Sequence, residues 1–187
     1  MSQEQPGRYR RSAGGLVAAM LVTVVVVGGL VLVRDLFRND LTTRPAPVDY
    51  LAAVQYAQDS DVEVVYPGSV PEGWIATSAG LTPGKRLVWG VGLLTDEERF
   101  VGVRHEQRSL DHLLETYVDE DTSALPEAGI DSPVADSWQV FEDEGGDRAY
   151  AAEVGETVVL VYGSAPQEDL EQVVGALTTR RLPPGSG

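Results

Sequence analysis

Two histidines, His105 and His112, stand in one short stretch, HEQRSLDH, where Glu106 and Asp111 complete a set of four groups suited to a divalent metal. Their spacing argues against that chemistry. Neither H-x-x-x-H nor H-E-x-x-H is present, and a strand-to-helix junction falls between the imidazoles, so no single helical face carries two ligands. A second group, Glu142, Asp143, Glu144 and Asp147, flanks Gly145-Gly146. Oxygen ligands in a turn suit calcium, but an EF-hand alternates its ligands over about twelve residues and closes with a bidentate Glu. A solvated hairpin tip explains the same letters. Ser164 in VYGSAP lacks the G-x-S-x-G elbow that exposes a nucleophile, and no P-loop or dinucleotide fingerprint occurs. Cysteine is absent, which removes thiol nucleophiles, thiolate metal sites, disulfides and lipidated cysteine anchors together. The residues assign no catalytic residue, no cofactor site and no metal site.

Three tryptophans remain, Trp74, Trp89 and Trp138. Large aromatics pack cores by default. The alternative is an apolar groove for a ligand, a lipid or a partner segment, and these three are the candidate groove residues.

The elements that must position them form two rounds of a similar pattern, each led by a tryptophan. The first predicts strands over 74–81, 87–95 and 100–105 and a helix over 109–119. The second predicts strands over 137–142, 148–154 and 157–163 and a helix over 167–178. Leu110, Leu113, Leu114, Tyr117 and Val118 recur at helical spacing, as do Leu170, Val173, Val174 and Leu177. Ser109 is the expected N-cap of the first helix, while Ser164 and Gln167 read as an S-x-x-Q capping box for the second. The acids of 119–121 face the negative pole of the first helix, so it should end near Val118. Thr82-Pro83-Gly84-Lys85 and Gly145-Gly146 sit where strands reverse. A further strand is expected over 62–66 and an opening helix over 48–58. Connections this short exclude parallel crossovers, which makes the fold α+β: an antiparallel sheet packed with two or three helices.

The 187-residue chain carries a net charge of −15. Three of its 14 basic residues and one of its 29 acids precede Arg34, so the remainder carries −17. That surface repels nucleic acid and anionic headgroups, and its blandest use is solubility.

Residues 12–33 hold no charge. As a helix they span about 33 Å, enough for a hydrocarbon core of about 30 Å. Valine's poor helix propensity in water is overridden in lipid, where a lone segment must satisfy its own amides. A cleaved signal peptide would have a shorter apolar core, of about 7–15 residues, and a small-x-small exit, which Val27 and Gly29 imitate poorly. A soluble core helix would show amphipathic periodicity. The organisation expected is a cytoplasmic arm 1–11, a transmembrane helix 12–33, a Pro-containing linker 34–47, a domain 48–181 and a disordered tail 182–187. Arg8, Arg10 and Arg11 are matched across the run by Arg34, Arg38 and Arg44, so basic residues alone do not orient it. The short arm is the side most simply left in the cytoplasm, which places the domain outside. Gly14-x-x-x-Ala18 and Gly15-x-x-x-Ala19 permit close helix approach; a homodimer is left open with nothing further to support it.

The stretches VDY at 48–50, YPGSVPEGWIATSA at 66–79 and WGVGLLT at 89–95, with GGLVAAMLVT in the apolar run, resemble a family of single-pass actinomycete membrane proteins, domain-of-unknown-function family 4245. The resemblance implies a membrane anchor and no activity. The element order is also similar to the Mog1/PsbP-type α/β/α sandwich, whose members serve mainly as binding and assembly factors; order alone transfers no function. The expectation is a non-enzymatic envelope protein tethered to the bilayer through 12–33, whose acidic domain binds a partner protein or small ligand. An envelope hydrolase with a site built from scattered acids is the alternative.

Overall fold

A computed structural model of the chain describes residues 45–82 and 84–183. The helix expected over 12–33, the arm before it, residues 34–44 of the linker and the last four residues lie outside the described residues. Among the described residues no helix is long and apolar enough to cross a membrane.

The domain opens with α1 (Tyr50–Asp59) and a short β1 (Tyr66–Pro67). A meander of β2 (Ile75–Leu81), β3 (Val88–Leu94) and β4 (Phe100–Glu106) leads into α2 (Leu110–Tyr117). Then come β5 (Thr122–Ala128) and a second meander, β6 (Trp138–Asp143), β7 (Arg148–Val154) and β8 (Thr157–Gly163). The chain closes with α3 (Gln167–Ala176) and β9 (Leu177–Thr178), which pairs with β1. The main sheet has seven strands in the order β2-β3-β4-β8-β7-β6-β5, antiparallel throughout. The second meander reverses through short turns at 144–147 and 155–156, and Gly146 supplies the positive φ, +88°, at the β6–β7 hairpin.

The sheet is covered on both sides. On its first face Trp89, Val91 and Leu93 of β3, Val101 and Val103 of β4, and Val159 and Val161 of β8 bury against Val54 and Ala57 of α1 and Leu170, Val173 and Val174 of α3. On its second face Val158, Leu160 and Tyr162 of β8, with Ala149 and Ala151 of β7, bury against Leu113 and Leu114 of α2. Successive strand residues point to opposite faces, so a central strand covered on both sides reads as the unbroken apolar run VVLVY of β8.

Several expectations change in detail. The two rounds do share an order, but α2 and α3 lie on opposite faces, so they are not copies related by a simple two-fold. The expected capping box is not formed: α3 takes Pro166 as its N-cap, and Ser164 Oγ instead accepts from the Phe100 amide at 3.2 Å. Ser109 caps α2 by position, without a side-chain bond. The cap that is made belongs to Asp49, whose carboxylate accepts from the Ala52 amide at 3.1 Å at the head of α1. Residues 62–65 form no strand, since Val64 and Val65 are held by burial and only Tyr66–Pro67 finds a partner. Strand β5 was not anticipated, because Pro126 sits inside it and proline withdraws a ladder donor; it is tolerated here at the sheet edge. Leu182 donates its amide to Gln58 Oε1 at 2.9 Å and packs on the core, so ordered chain extends past the expected boundary at 181.

Candidate functional site

The polar groups that the sequence singled out are spent on structure. His105 is 4% exposed on the first face. Its Nδ1 accepts from the Val65 amide at 3.1 Å, and its Nε2 lies 2.9 Å from Thr157 Oγ1. Thr157 already donates its hydroxyl proton to the Val154 carbonyl at 2.7 Å. The imidazole must then donate from Nε2, which fixes it as the neutral Nε2–H tautomer. Burial pushes its pKa down to about 4, in keeping with that role. His112 lies on the solvent side of α2, against Arg108. The two histidines therefore serve opposite faces of the sheet, and among the described residues no three His, Asp or Glu side chains gather as metal ligands.

Trp89 and Trp138 are both fully buried, and each indole N–H donates to a backbone carbonyl, Val65 at 2.8 Å and Ala135 at 3.2 Å. Neither offers surface to a ligand in this conformation. Trp74 keeps part of its surface at the edge of the same core. Two of the hairpin acids are similarly engaged, since Asp143 accepts from the Asp147 amide and Glu142 pairs with Arg148 at 2.9 Å.

A different cluster occupies the second face where α2 stops. The strands β2, β3 and β4 present their second-face residues in rows. One row is Gly80, Gly90 and Arg104; the next is Ser78, Gly92 and Gly102. Four of these six positions are glycine. The missing side chains are replaced by neighbours lying flat: a Cβ at Gly90 would collide with the Arg104 guanidinium, and one at Gly102 with the ring of Tyr162. At Gly92 a Cβ would stand 2.6 Å from Ser78 Oγ. Around Gly80, which is exposed, nothing lies within 4 Å of that position. Glycine inside a strand marks close approach of another group, and that is its use here.

The Arg104 guanidinium is held between Gly90 and the ring of Tyr117, whose centroid is 4.3 Å from Cζ. Tyr117 is itself fixed, by Tyr162 at 5.6 Å and by donating its hydroxyl to Glu106 Oε1 at 2.6 Å. Burial, then the bond to Glu106, push the Tyr117 pKa up to about 12, so the phenol stays a donor across the physiological range. Glu106 is 1% exposed and turns its other oxygen to Arg108 Nε at 3.6 Å. Arg104 is left with no hydrogen bond and no ion pair among the described residues, and its Nε is buried without a partner. Buried unpaired donors are rare and call for an explanation.

Sequence reading passed over this patch. Its signal was the alternation G-V-G in WGVGLL beside the single cation of FVGVRHE, which places small residues and an arginine on one face of adjacent strands.

The described domain is thus an antiparallel sheet covered by helices on both faces, with one small-residue patch that carries an oriented cation where α2 stops. The chain belongs to the family described as Protein of unknown function (DUF4245), whose profile matches residues 8–177. No curated protein and no solved structure is significantly similar to it.

Proposed function

We propose that this is a non-enzymatic, membrane-tethered protein of the cell envelope whose domain captures a ligand or partner on the glycine-floored face of β2, β3 and β4. One observation carries the reading: Arg104 is pre-positioned between Gly90 and Tyr117 with no side-chain hydrogen bond among the described residues, in the same row as the exposed Gly80, whose missing side chain no neighbour replaces. Holding a flexible cation in one orientation costs entropy, and a binding site recovers that cost when the ligand arrives. The uncharged run 12–33 supports the tether. Helices α1 and α3 on one face and α2 on the other support the Mog1/PsbP-like sandwich as the scaffold.

A photo-crosslinking residue placed at the exposed Thr82, two residues from Gly80, in the full chain expressed in its own membranes tests both parts. A discrete adduct in the membrane fraction that disappears with Arg104→Gln is the expected result. Recovery of the chain from the soluble fraction, or an equal adduct from a probe at Glu63, would overturn the proposal.

A further inference from the structure

The ligand class follows from the chemistry of the patch, and the step rests on the reading that the patch binds. We infer that Arg104 and Ser78, which cover Gly90 and Gly92, together receive an oxyanion, a carboxylate or phosphate group of a small ligand that lies beside them over the open Gly80.

The guanidinium has five donors, none of them bonded among the described residues. Only Nε is both buried and unpartnered, so the Nη groups are the donors that reach solvent, and they lie over Gly90. Ser78 Oγ lies over Gly92, two residues along the same strand and on the same face. Positions two apart on a strand are about 7 Å from one another. Two hydrogen bonds of about 2.9 Å each, made to different oxygens of one oxyanion, span that separation. A β-bulge between Ala76 and Ser78 sets the hydroxyl on this face. The Tyr117 ring closes the far side of the guanidinium and keeps it flat, which suits planar recognition of carboxylate or phosphate.

The rest of the protein sharpens the argument. From Arg34 onward the chain has 28 acids to 11 bases, so a carboxylate partner for every arginine was available in composition. Glu106, two residues along on the same face, is committed to Tyr117 and Arg108 instead. The cation is thus left open in a protein rich in anions. The surplus negative charge opposes an extended polyanion or an anionic bilayer, which favours a compact anion that fits the patch.

Full-length protein labelled with 15N-arginine in nanodiscs of zwitterionic lipid provides the test. Arg104 Nε–H is assigned by its loss in Arg104→Lys, and inorganic phosphate and acetate are titrated separately against chloride at matched ionic strength. The Arg104 resonance should shift saturably with phosphate or acetate while the other twelve arginines do not follow. Which of the two saturates identifies the oxyanion. Ser78→Ala should weaken the apparent affinity about fivefold, and Gly80→Trp, which fills open space, should abolish saturation while the spectrum stays dispersed. A response equal to that in chloride, or shared by all arginines, overturns the inference. The adduct from the Thr82 probe separates the two ideas: an Arg104-dependent adduct without an oxyanion response removes only the ligand class, and loss of both removes the patch.

Discussion

His105 makes acid a specific weakness of this fold. Its ordinary pKa of 6.5 is lowered to about 4 by burial, and both ring nitrogens are committed in the neutral form. Protonation would aim an N–H at the Val65 amide, which is itself a donor. Its neighbours across the strands on the same face are Trp89 and Val159, so no carboxylate on that row compensates a charge. Above pH 6.5 the ring is neutral in the folded and unfolded chain, and the full stability is present. As the pH falls below 6.5 the unfolded chain takes up a proton that the native ring refuses. Stability drops until the native pKa is reached and this contribution then levels off. The shift corresponds to about 3 kcal/mol in all, of which about 2 kcal/mol is lost by pH 5, before most carboxylates titrate.

The domain reports on itself in the assay, because Trp74, Trp89 and Trp138 are the only tryptophans. Urea unfolding of the full chain in micelles, followed by tryptophan emission at pH 8 and pH 5, should show that loss. His105→Gln should be less stable at pH 8 yet lose little further on going to pH 5. Asp169 works in the opposite sense: burial, then Glu168, Glu97 and Asp96, raise its pKa, so its contribution grows as the pH falls. An equal pH slope in His105→Gln and wild type would refute the reasoning.

Three further outcomes follow from the packing. Gly163→Ala should prevent stable folding, because a Cβ there runs into the Phe100 carbonyl and the backbone holds φ at +148°; Gly90→Ala, opposed only by the end of a flexible arginine, should cost far less and instead free Arg104 from Tyr117, read by thermal unfolding and side-chain NMR. Tyr117→Phe should destabilise by about 1–3 kcal/mol in the same urea assay, since it strips a hydrogen bond from the buried Glu106. Gln58→Leu should loosen residues 180–182, whose carbonyl and amide its side chain holds at 3.0 and 2.9 Å, and speed trypsin cleavage after the exposed Arg180 and Arg181, although Tyr66 Oη and the Gln58 carbonyl keep their bonds to them, while the core stays protected.

The helices and most strands were legible because each repeats its apolar residues at its own period. The stripe through Leu110, Leu113 and Leu114 and the run VVLVY of β8 need no tertiary information to be read. Elements defined by a distant partner were not legible. Strand β5 contains Pro126 and exposes most of its residues, so only its pairing with β6 makes it a strand. Ser164 and Gln167 have the letters of a capping box, yet the amide of Phe100, 64 residues away, takes the serine.

The same limit explains the site. Histidines, acids and tryptophans attract attention because their side chains do chemistry, and here they are absorbed: the imidazole ties Val65 to Thr157, and the indoles bond to backbone. The patch depends on side chains that are missing. Gly80 and Gly90 face Arg104 only because two antiparallel pairings bring 80, 90 and 104 into one row, and sequence separation gives no hint of it. Shifting β3 by one residue against β4 would set Trp89 or Val91 opposite Arg104 in place of Gly90. The placement of Arg104 over glycine is therefore a property of register, held by the burial of Trp89, Val91 and Leu93 on the opposite face of β3.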